Sequence, residues 1–310
     1  MAIQTDPGKK ALIFEVKGNS LDDGPGIRTV IFFKGCPLNC VWCHNPEGKS
    51  KTLEISFDKN ECIMCGTCIE ICPTGALDRE NPFYIDRSRC TMCIKCIEKC
   101  PSGALSLVGQ HLDIDDLLAV IEKDIPFFKY SGGGVTLSGG EPTMHMDFIS
   151  LLLKRTRFLG INTLLETCGL FDLHSFMDKV YPWLNTIYFD IKIFDDTLHK
   201  IHCGASNRTI LKNLEHIHCA CRKDGIELLV RIPLIPGITA TEDNLTSIAR
   251  YLKDLGILDL DILPYNPLWF DKCDKIGKSH QSADDKTAGQ WMTSEEIDHC
   301  RAIFDGFNLQ

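Results

Sequence analysis

Cys36, Cys40 and Cys43 share one loop, Gly35-Cys36-Pro37-Leu38-Asn39-Cys40-Val41-Trp42-Cys43-His44, with the spacing C-x3-C-x2-C. The run stops at three thiols. A 4Fe-4S cluster is ordinarily held by four thiolates, so three leave one iron with an open position. An open iron can take a small ligand and act on it, whereas a fully ligated cluster only passes electrons. The competing reading, a zinc knot, asks for four ligands in C-x2-4-C pairs. Three close cysteines in one loop fit that poorly.

A second cysteine system follows. Cys62-x2-Cys65-x2-Cys68-x3-Cys72-Pro73 is repeated as Cys90-x2-Cys93-x2-Cys96-x3-Cys100-Pro101. The match extends through Cys72-Pro73-Thr74-Gly75-Ala76-Leu77 and Cys100-Pro101-Ser102-Gly103-Ala104-Leu105. Each half resembles the cysteine run of bacterial ferredoxins, in which the fourth cysteine serves the other cluster of the pair. The resemblance implies one 4Fe-4S cluster on Cys62, Cys65, Cys68 and Cys100 and another on Cys90, Cys93, Cys96 and Cys72. Zinc fingers give no reason for the Cys-Pro steps. With the loop cluster, three 4Fe-4S clusters are expected.

Further groups able to hold a ligand stand at the ends of apolar runs. Ser138-Gly139-Gly140-Glu141-Pro142 follows Val135-Thr136-Leu137 and a glycine-rich stretch at 131–134. Glycines let backbone approach a partner closely, and Glu141 adds a negative charge, although a plain tight turn has the same composition. Glu166-Thr167-Cys168-Gly169 and Asp190-Ile191-Lys192 end the next two runs. Residues two apart in a strand share a face, so Asp190 and Lys192 stand together, either to bind a zwitterionic ligand or to pair with each other. Arg231, at the end of the following run, offers a planar fork to a ligand carboxylate. Ile262-Leu263-Pro264-Tyr265-Asn266 closes the last run. Cys168, Cys203, Cys219, Cys221, Cys273 and Cys300 lie outside the runs at irregular spacing. They are read as packing residues, since a free cysteine behaves as a small hydrophobe.

The elements that must position these groups follow from periodicity. Strands are predicted at 12–16, 29–33, 135–137, 162–166, 187–191, 227–232 and 258–263, from their β-branched and aromatic content. Helices are predicted from Asp113, which can cap the apolar series Ile114, Leu117, Leu118 and Ile121, and over 147–158, from Asp172, over 207–223 and over 241–255. Thr293-x-x-Glu296 is a capping box that starts a terminal helix. Strand–helix alternation implies a parallel sheet with helical crossovers. Counting from the strand at 29–33 there are six such units, too few for a closed eight-fold barrel, so an open, partial one is expected: an α/β fold, a partial (β/α)6 barrel. Chemistry in such sheets gathers at the C-terminal strand ends, where every motif above falls. Three segments are expected: 1–52 as the first part of the barrel with the three-cysteine loop, 53–109 as a ferredoxin-like insert, and 110–310 as the rest of the barrel with the C-terminal helix.

The 310 residues suit about two domains. The formal charge of 33 minus 42, or -9, speaks against a nucleic-acid surface. Eleven of the 17 cysteines lie in the three runs; clustered thiolates without an export signal indicate a reducing cytoplasm. No apolar run approaches the ~20 residues of a membrane helix. Residues 1–10 are polar and expected to fray.

Taken together, Asp23-Gly24-Pro25-Gly26-Ile27-Arg28-Thr29, the three-cysteine loop through His44-Asn45-Pro46, the run from Ser131 to Pro142 and the Asp190-Ile191-Lys192 step resemble the activating enzymes of glycyl radical enzymes, in the radical SAM superfamily. The similarity spans about residues 12–268, and the insert is similar to that of the longer subgroup. The resemblance implies that a flavodoxin or ferredoxin supplies an electron. S-adenosylmethionine (SAM) is then cleaved to methionine and a 5'-deoxyadenosyl radical, which takes hydrogen from a backbone glycine of a partner enzyme under anaerobic conditions. It further implies that Cys36, Cys40 and Cys43 hold the active cluster, that Trp42 and His44 flank the adenine, and that Gly140, Glu141, Asp190, Lys192, Arg231 and Asn266 contact SAM. Asp23, Gly24, Pro25 and Gly26 would help seat the partner's glycine loop. Short members carry a histidine where Asn266 stands, and Asn266 cannot protonate. They carry Asp-Thr-Asn where Glu166-Thr167-Cys168 stands, which leaves a cation site there open. The insert clusters would relay electrons or serve to dock and stabilise. A monomer that engages its partner transiently is expected. The alternatives are a radical SAM enzyme acting on a small molecule and an electron-transfer module that binds no SAM.

Overall fold

The computed structural model describes residues 10–279 and 289–310. The stretch expected to fray lies outside them except for Lys10, which already opens a strand. β1 (Lys10–Ser20) and β2 (Arg28–Phe33) pair antiparallel. β3 (Glu54–Phe57) and β4 (Leu105–Val108) form a separate two-stranded sheet. β5 (Gln110–Asp113) returns to the free side of β1. Then follow β6 (Gly134–Gly139), β7 (Asn162–Thr167), β8 (Thr186–Asp190), β9 (Glu227–Pro233), β10 (Asp259–Leu263) and the two-residue β11 (Asn308–Leu309). The large sheet runs β5-β1-β2-β6-β7-β8-β9-β10-β11. Every pairing from β2 to β11 is parallel, and the two edges stay apart, so the sheet is open. β5 escaped the sequence reading because it is short, polar and recruited by a strand about a hundred residues away.

Two one-turn helices, α1 (Thr67–Glu70) and α2 (Lys95–Glu98), lie in the cysteine-rich segment. The crossovers are α3 (Ile114–Ser131), α4 (Met146–Phe158), α5 (Leu173–Lys179), α6 (Asp196–Cys203), α7 (Arg208–Asp224) and α8 (Glu242–Leu255). α9 (Trp269–Lys275) and α10 (Ser294–Ala302) complete the chain. The anticipated caps form: Asp113 accepts from the Asp116 amide, Asp172 from Ser175, and Thr293 with Glu296 makes the reciprocal capping box. α6 and α9 were not anticipated; both are short, and α6 is started by Asp195, which accepts from the Leu198 amide. Among the described residues no helix is long and apolar enough to cross a membrane.

Alternation along the strands separates two faces. Val135, Leu137, Leu165, Ile187, Phe189, Val230 and Ile232 join the main core with the helices. Their neighbours turn to the concave face, where Leu164, Tyr188 and Leu229 form a small apolar floor. Above that floor, toward the C-terminal strand ends, the same face carries Ser138, Glu166, Asp190 and Arg231. The cysteine-rich segment has its own apolar cluster, including Ile55, Leu77, Tyr84, Ile85 and Leu105, with Phe57 stacked on Tyr84 at 4.0 Å.

At the N-terminal end of β2 the Arg28 side chain is fully buried. It donates to Thr136 Oγ1 at 2.5 Å, to Val135 O at 2.7 Å, and to Pro25 O and Asn162 Oδ1 at 3.2 Å each. Thr136 Oγ1 in turn donates to Asp23 O at 2.8 Å. Burial pulls the Arg28 pKa down to about 10, yet the guanidinium stays charged at neutral pH. Gly24 at φ +122° and Gly26 at φ +71° let the chain lie against Arg28 and Gly133. Arg28→Met would keep the stem and leave buried carbonyls unanswered. It should cost about 3 kcal/mol, seen as a lower thermal unfolding midpoint; an unchanged midpoint would contradict this account.

Candidate active site

The cysteine loop leaves the C-terminal end of β2 and is clamped on two sides. On one side, Gly35 N donates to Gly48 O at 2.7 Å, Gly140 N to Phe33 O at 2.8 Å and Glu141 N to Gly35 O at 2.8 Å. A Cβ on Gly140 would overlap the carbonyl oxygens of both Gly35 and Gly48, and one on Gly48 would come to 2.7 Å from Gly140 N. Three glycines therefore interlock, and the close approach that Gly139-Gly140 permits is first of all to the cysteine loop. On the other side, Asn39 N donates to Cys203 O at 2.7 Å and Val41 N to His202 O at 3.0 Å, fastening the loop to the end of α6.

Four lysines that the sequence reading passed over bind the loop's carbonyls. Lys34 donates to Glu47 O at 2.5 Å, Lys49 to Cys40 O at 2.8 Å, Lys272 to His44 O at 3.1 Å and Lys278 to Pro46 O at 3.3 Å. They hold the loop's shape, and Lys34, Lys278 and Lys272 are themselves paired with Glu54 and Glu47.

The loop and the strand ends enclose a cavity of about 230 Å³. Cys36, Cys40 and Cys43 line it, with Trp42, His44 and Gly140. Facing them are Glu166, Asp190, Lys192 and Arg231. These four charges form one ladder. Lys192 Nζ lies 2.8 Å from Asp190 Oδ2, Arg231 Nε 2.9 Å from Asp190 Oδ1, and Arg231 Nη1 2.5 Å from Glu166 Oε1. Ser138 Oγ donates to Glu166 Oε2 at 2.6 Å. Arg231 also lies over the Tyr188 ring at 5.4 Å. Burial works against the Asp190 carboxylate, but Arg231 and Lys192 outweigh it and hold its pKa below the usual range. Burial likewise opposes the two cations, and the carboxylates more than reverse it, so both stay charged. The ladder is two acids against two bases.

Among the described residues His44 Nε2, buried in the cavity wall, has no hydrogen-bond partner, a state rare for buried polar atoms.

Some expected residues do not reach the cavity. Glu141 is fully buried. Its Oε1 accepts from Thr143 Oγ1 at 2.7 Å and Thr167 Oγ1 at 2.9 Å, and its Oε2 from the Cys168 amide at 2.7 Å. Its charge is consumed in tying β6 to the end of β7. Asn266 Oδ1 accepts from the Leu268 amide at 2.9 Å, turning the chain toward α9. Asp23, Gly24, Pro25 and Gly26 sit at the N-terminal end of β2, the length of that six-residue strand from the cavity, roughly 20 Å.

Cys168 and Cys203 are more than packing. Cys203 is buried in the same apolar cluster as Cys40, and its neighbouring thiol draws the Cys40 thiol down to about 7. Cys168 lines the cavity beside Cys36, and that neighbour together with burial pushes the Cys168 thiol up.

In the cysteine-rich segment the fold brings Cys72 to Cys90, Cys93 and Cys96 around one small cavity. Cys100 lies within electrostatic reach of Cys65. Among the described residues no three His, Cys, Asp or Glu stand close enough to chelate a single ion.

The radical SAM superfamily model matches residues 87–248, and the 4Fe-4S binding domain model matches residues 55–78. The trans-4-hydroxy-L-proline dehydratase activating enzyme of Clostridioides difficile is 38% identical over 302 residues, 96% of this chain and 97% of that protein. The isethionate sulfite-lyase activating enzyme of Nitratidesulfovibrio vulgaris is 39% identical over 278 residues, 88% of this chain and 89% of that protein. A radical SAM methyltransferase from Sphaerobacter thermophilus shares the fold, with a TM-score of 0.51 at 13% identity over 99% of this chain and 74% of that one. The chain belongs to the radical SAM superfamily and, within it, to the activating enzymes of glycyl radical enzymes. Its activity is the reductive cleavage of SAM followed by hydrogen abstraction from a glycine of such an enzyme.

Gly140→Ala should push the cysteine loop off its seat. Iron analysis of the anaerobically reconstituted variant should show loss of the loop's share with the insert's retained. Full iron content would show that the glycine interlock is dispensable.

Proposed function

We propose that Cys36, Cys40 and Cys43 hold a 4Fe-4S cluster whose open iron takes the amino and carboxylate groups of SAM, and that the cavity they line binds the rest of the molecule. When bound, that cluster supplies the electron that breaks the sulfonium. The observation that carries this reading is the convergence of the three thiols with Asp190, Lys192 and Arg231 in one cavity at the strand ends. The chain's own work is to bind and orient. The charge ladder is neutral before ligand arrives, so the methionine carboxylate can share Lys192 and the amine N–H can share Asp190 without stranding a charge. Arg231, braced by Glu166, holds Asp190 in place. Trp42 and the unpartnered Nε2 of His44 flank the adenine. Gly140 keeps the loop close to β6, and Glu141 acts from behind by bracing the end of β7. Asn266 shapes the cavity's edge through its turn. Asp23 to Gly26 floor the concave face and touch the partner's glycine loop only if that loop runs down it.

The same reading extends to a partial (β/α)6 barrel formed by the segments 1–52 and 110–310. It takes 53–109 as an insert with two clusters, on Cys62, Cys65, Cys68 and Cys100 and on Cys90, Cys93, Cys96 and Cys72, three clusters in all. The protein partner is a glycyl radical enzyme, and the electron donor a flavodoxin or ferredoxin. The two relatives described differ in their named partners, a dehydratase and a sulfite-lyase, at 38% and 39% identity; overall similarity therefore does not choose between such partners. A monomer in a reducing, anaerobic cytoplasm suits the exposed thiols.

Anaerobic protein reconstituted with iron and sulfide, given dithionite and SAM, should release 5'-deoxyadenosine, and a Cys40→Ala variant should not. Absence of the nucleoside from fully loaded wild type would sink this reading. Asp190→Asn would leave Lys192 without its carboxylate partner and Arg231 with Glu166 alone. It should weaken SAM binding at least tenfold, about 1.4 kcal/mol, by isothermal calorimetry; unchanged affinity would remove the ladder from the SAM site.

A further inference from the structure

The two halves of the cysteine-rich segment are close to equivalent. Helices α1 and α2 each start after a residue in the left-handed conformation, Gly66 and Ile94. Cys72 meets the Thr74 hydroxyl at 3.7 Å, and its counterpart Cys100 meets the Ser102 hydroxyl at 3.7 Å. Cys68 and Cys96 are each 8% exposed. Beyond a Cys62–Met64 sulfur contact at 3.9 Å and the Ala76 amide donating to Cys72 Sγ at 3.3 Å, one side-chain hydroxyl breaks the equivalence. Tyr84, itself 6% exposed, places its hydroxyl 3.1 Å from Cys68 Sγ. Its backbone holds φ +62°, uncommon for a bulky residue, and its ring is fixed by the Phe57 stack at 4.0 Å and 13°. Among the described residues no side-chain hydroxyl bonds Cys96. The repeat spacing that carries Cys68 to Cys96 carries Tyr84 to Leu112, which lies in β5 outside the segment.

A cysteine holding iron is a thiolate and can only accept, so the tyrosine hydroxyl must donate. A hydrogen bond to a cluster sulfur favours the more negative, reduced state, and such bonds are among the levers that set cluster potentials. We infer that the Tyr84 hydroxyl makes the two insert clusters inequivalent, raising the reduction potential of the one on Cys62, Cys65, Cys68 and Cys100, so that an electron entering the insert settles there first. The inference rests on the two-cluster reading of the insert.

Tyr84→Phe deletes one oxygen and keeps the ring stacked on Phe57. The test is a dithionite redox titration of the full, reconstituted chain followed by electron paramagnetic resonance, on a Cys36→Ala, Cys40→Ala, Cys43→Ala background in which only the insert is loaded. The parent should show two couples. The Tyr84→Phe version should lower the higher one by about tenfold in its reduction equilibrium, about 59 mV for one electron, with the lower couple and the iron content unchanged. Two couples that stay put at full iron content overturn the role of Tyr84 and leave the two-cluster reading standing. Loss of iron on Tyr84→Phe makes Tyr84 structural and overturns it too. Iron for fewer than two clusters in the parent overturns both.

Discussion

The contact between the cysteine loop and the end of β6 is the constraint on which the site depends. Gly35, Gly48 and Gly140 meet backbone to backbone, with no room for a Cβ at Gly140 or Gly48. That approach lets β2 and β6, parallel neighbours in the sheet, present the loop directly over the strand ends. The far side is tied to α6 through Asn39 and Val41, and lysines from four places in the chain close on its carbonyls. The loop is thereby held by main chain and by lysine ammonium groups on its carbonyls.

Opposite the loop, the open parallel sheet supplies a graded surface. Its concave face is apolar at the level of Leu164, Tyr188 and Leu229 and charged one step further along each strand. Asp190 and Arg231 are register partners on β8 and β9, while Glu166 pairs with Tyr188 one same-face step lower, and the long Arg231 side chain passes over the Tyr188 ring to reach it. Buried ion pairs contribute little to stability relative to apolar packing. Here their value is a set of oriented charges whose sum is zero and whose partners can be exchanged. Glu141 shows the same economy of means: its charge is spent on Thr143, Thr167 and the Cys168 amide, and so fixes where β7 ends.

The cysteine-rich segment is joined to this frame at both ends of a small sheet, β3 with β4, and carries its own core. Its duplicated sequence makes a near-symmetric pair of thiol sets. A stacked tyrosine from the connection between the halves gives one set a side-chain hydroxyl contact that its counterpart Cys96 lacks among the described residues.

The cysteine spacings, the internal repeat, the strand–helix alternation and the capping residues Asp113, Asp172 and Thr293 were legible from the sequence, because each depends on neighbours within a few positions or on a fixed period. So was the placing of Asp190, Lys192 and Arg231 at strand ends, which follows from alternation and the parallel sheet. Tertiary structure alone decided which way a side chain spends its charge. Glu141 looks like a ligand-binding carboxylate in its motif and is turned inward by Thr167 and Cys168, distant in the chain until β6 and β7 pair. Cys203 and Cys168 look like isolated hydrophobes and are carried to Cys40 and Cys36 by α6 and β7. Lys34, Lys49, Lys272 and Lys278 are ordinary surface-type residues in the sequence and converge only when α9 folds over the loop. Local periodicity fixes an element and its faces; which groups meet across elements depends on contacts between residues tens to hundreds of positions apart, and no local pattern encodes those.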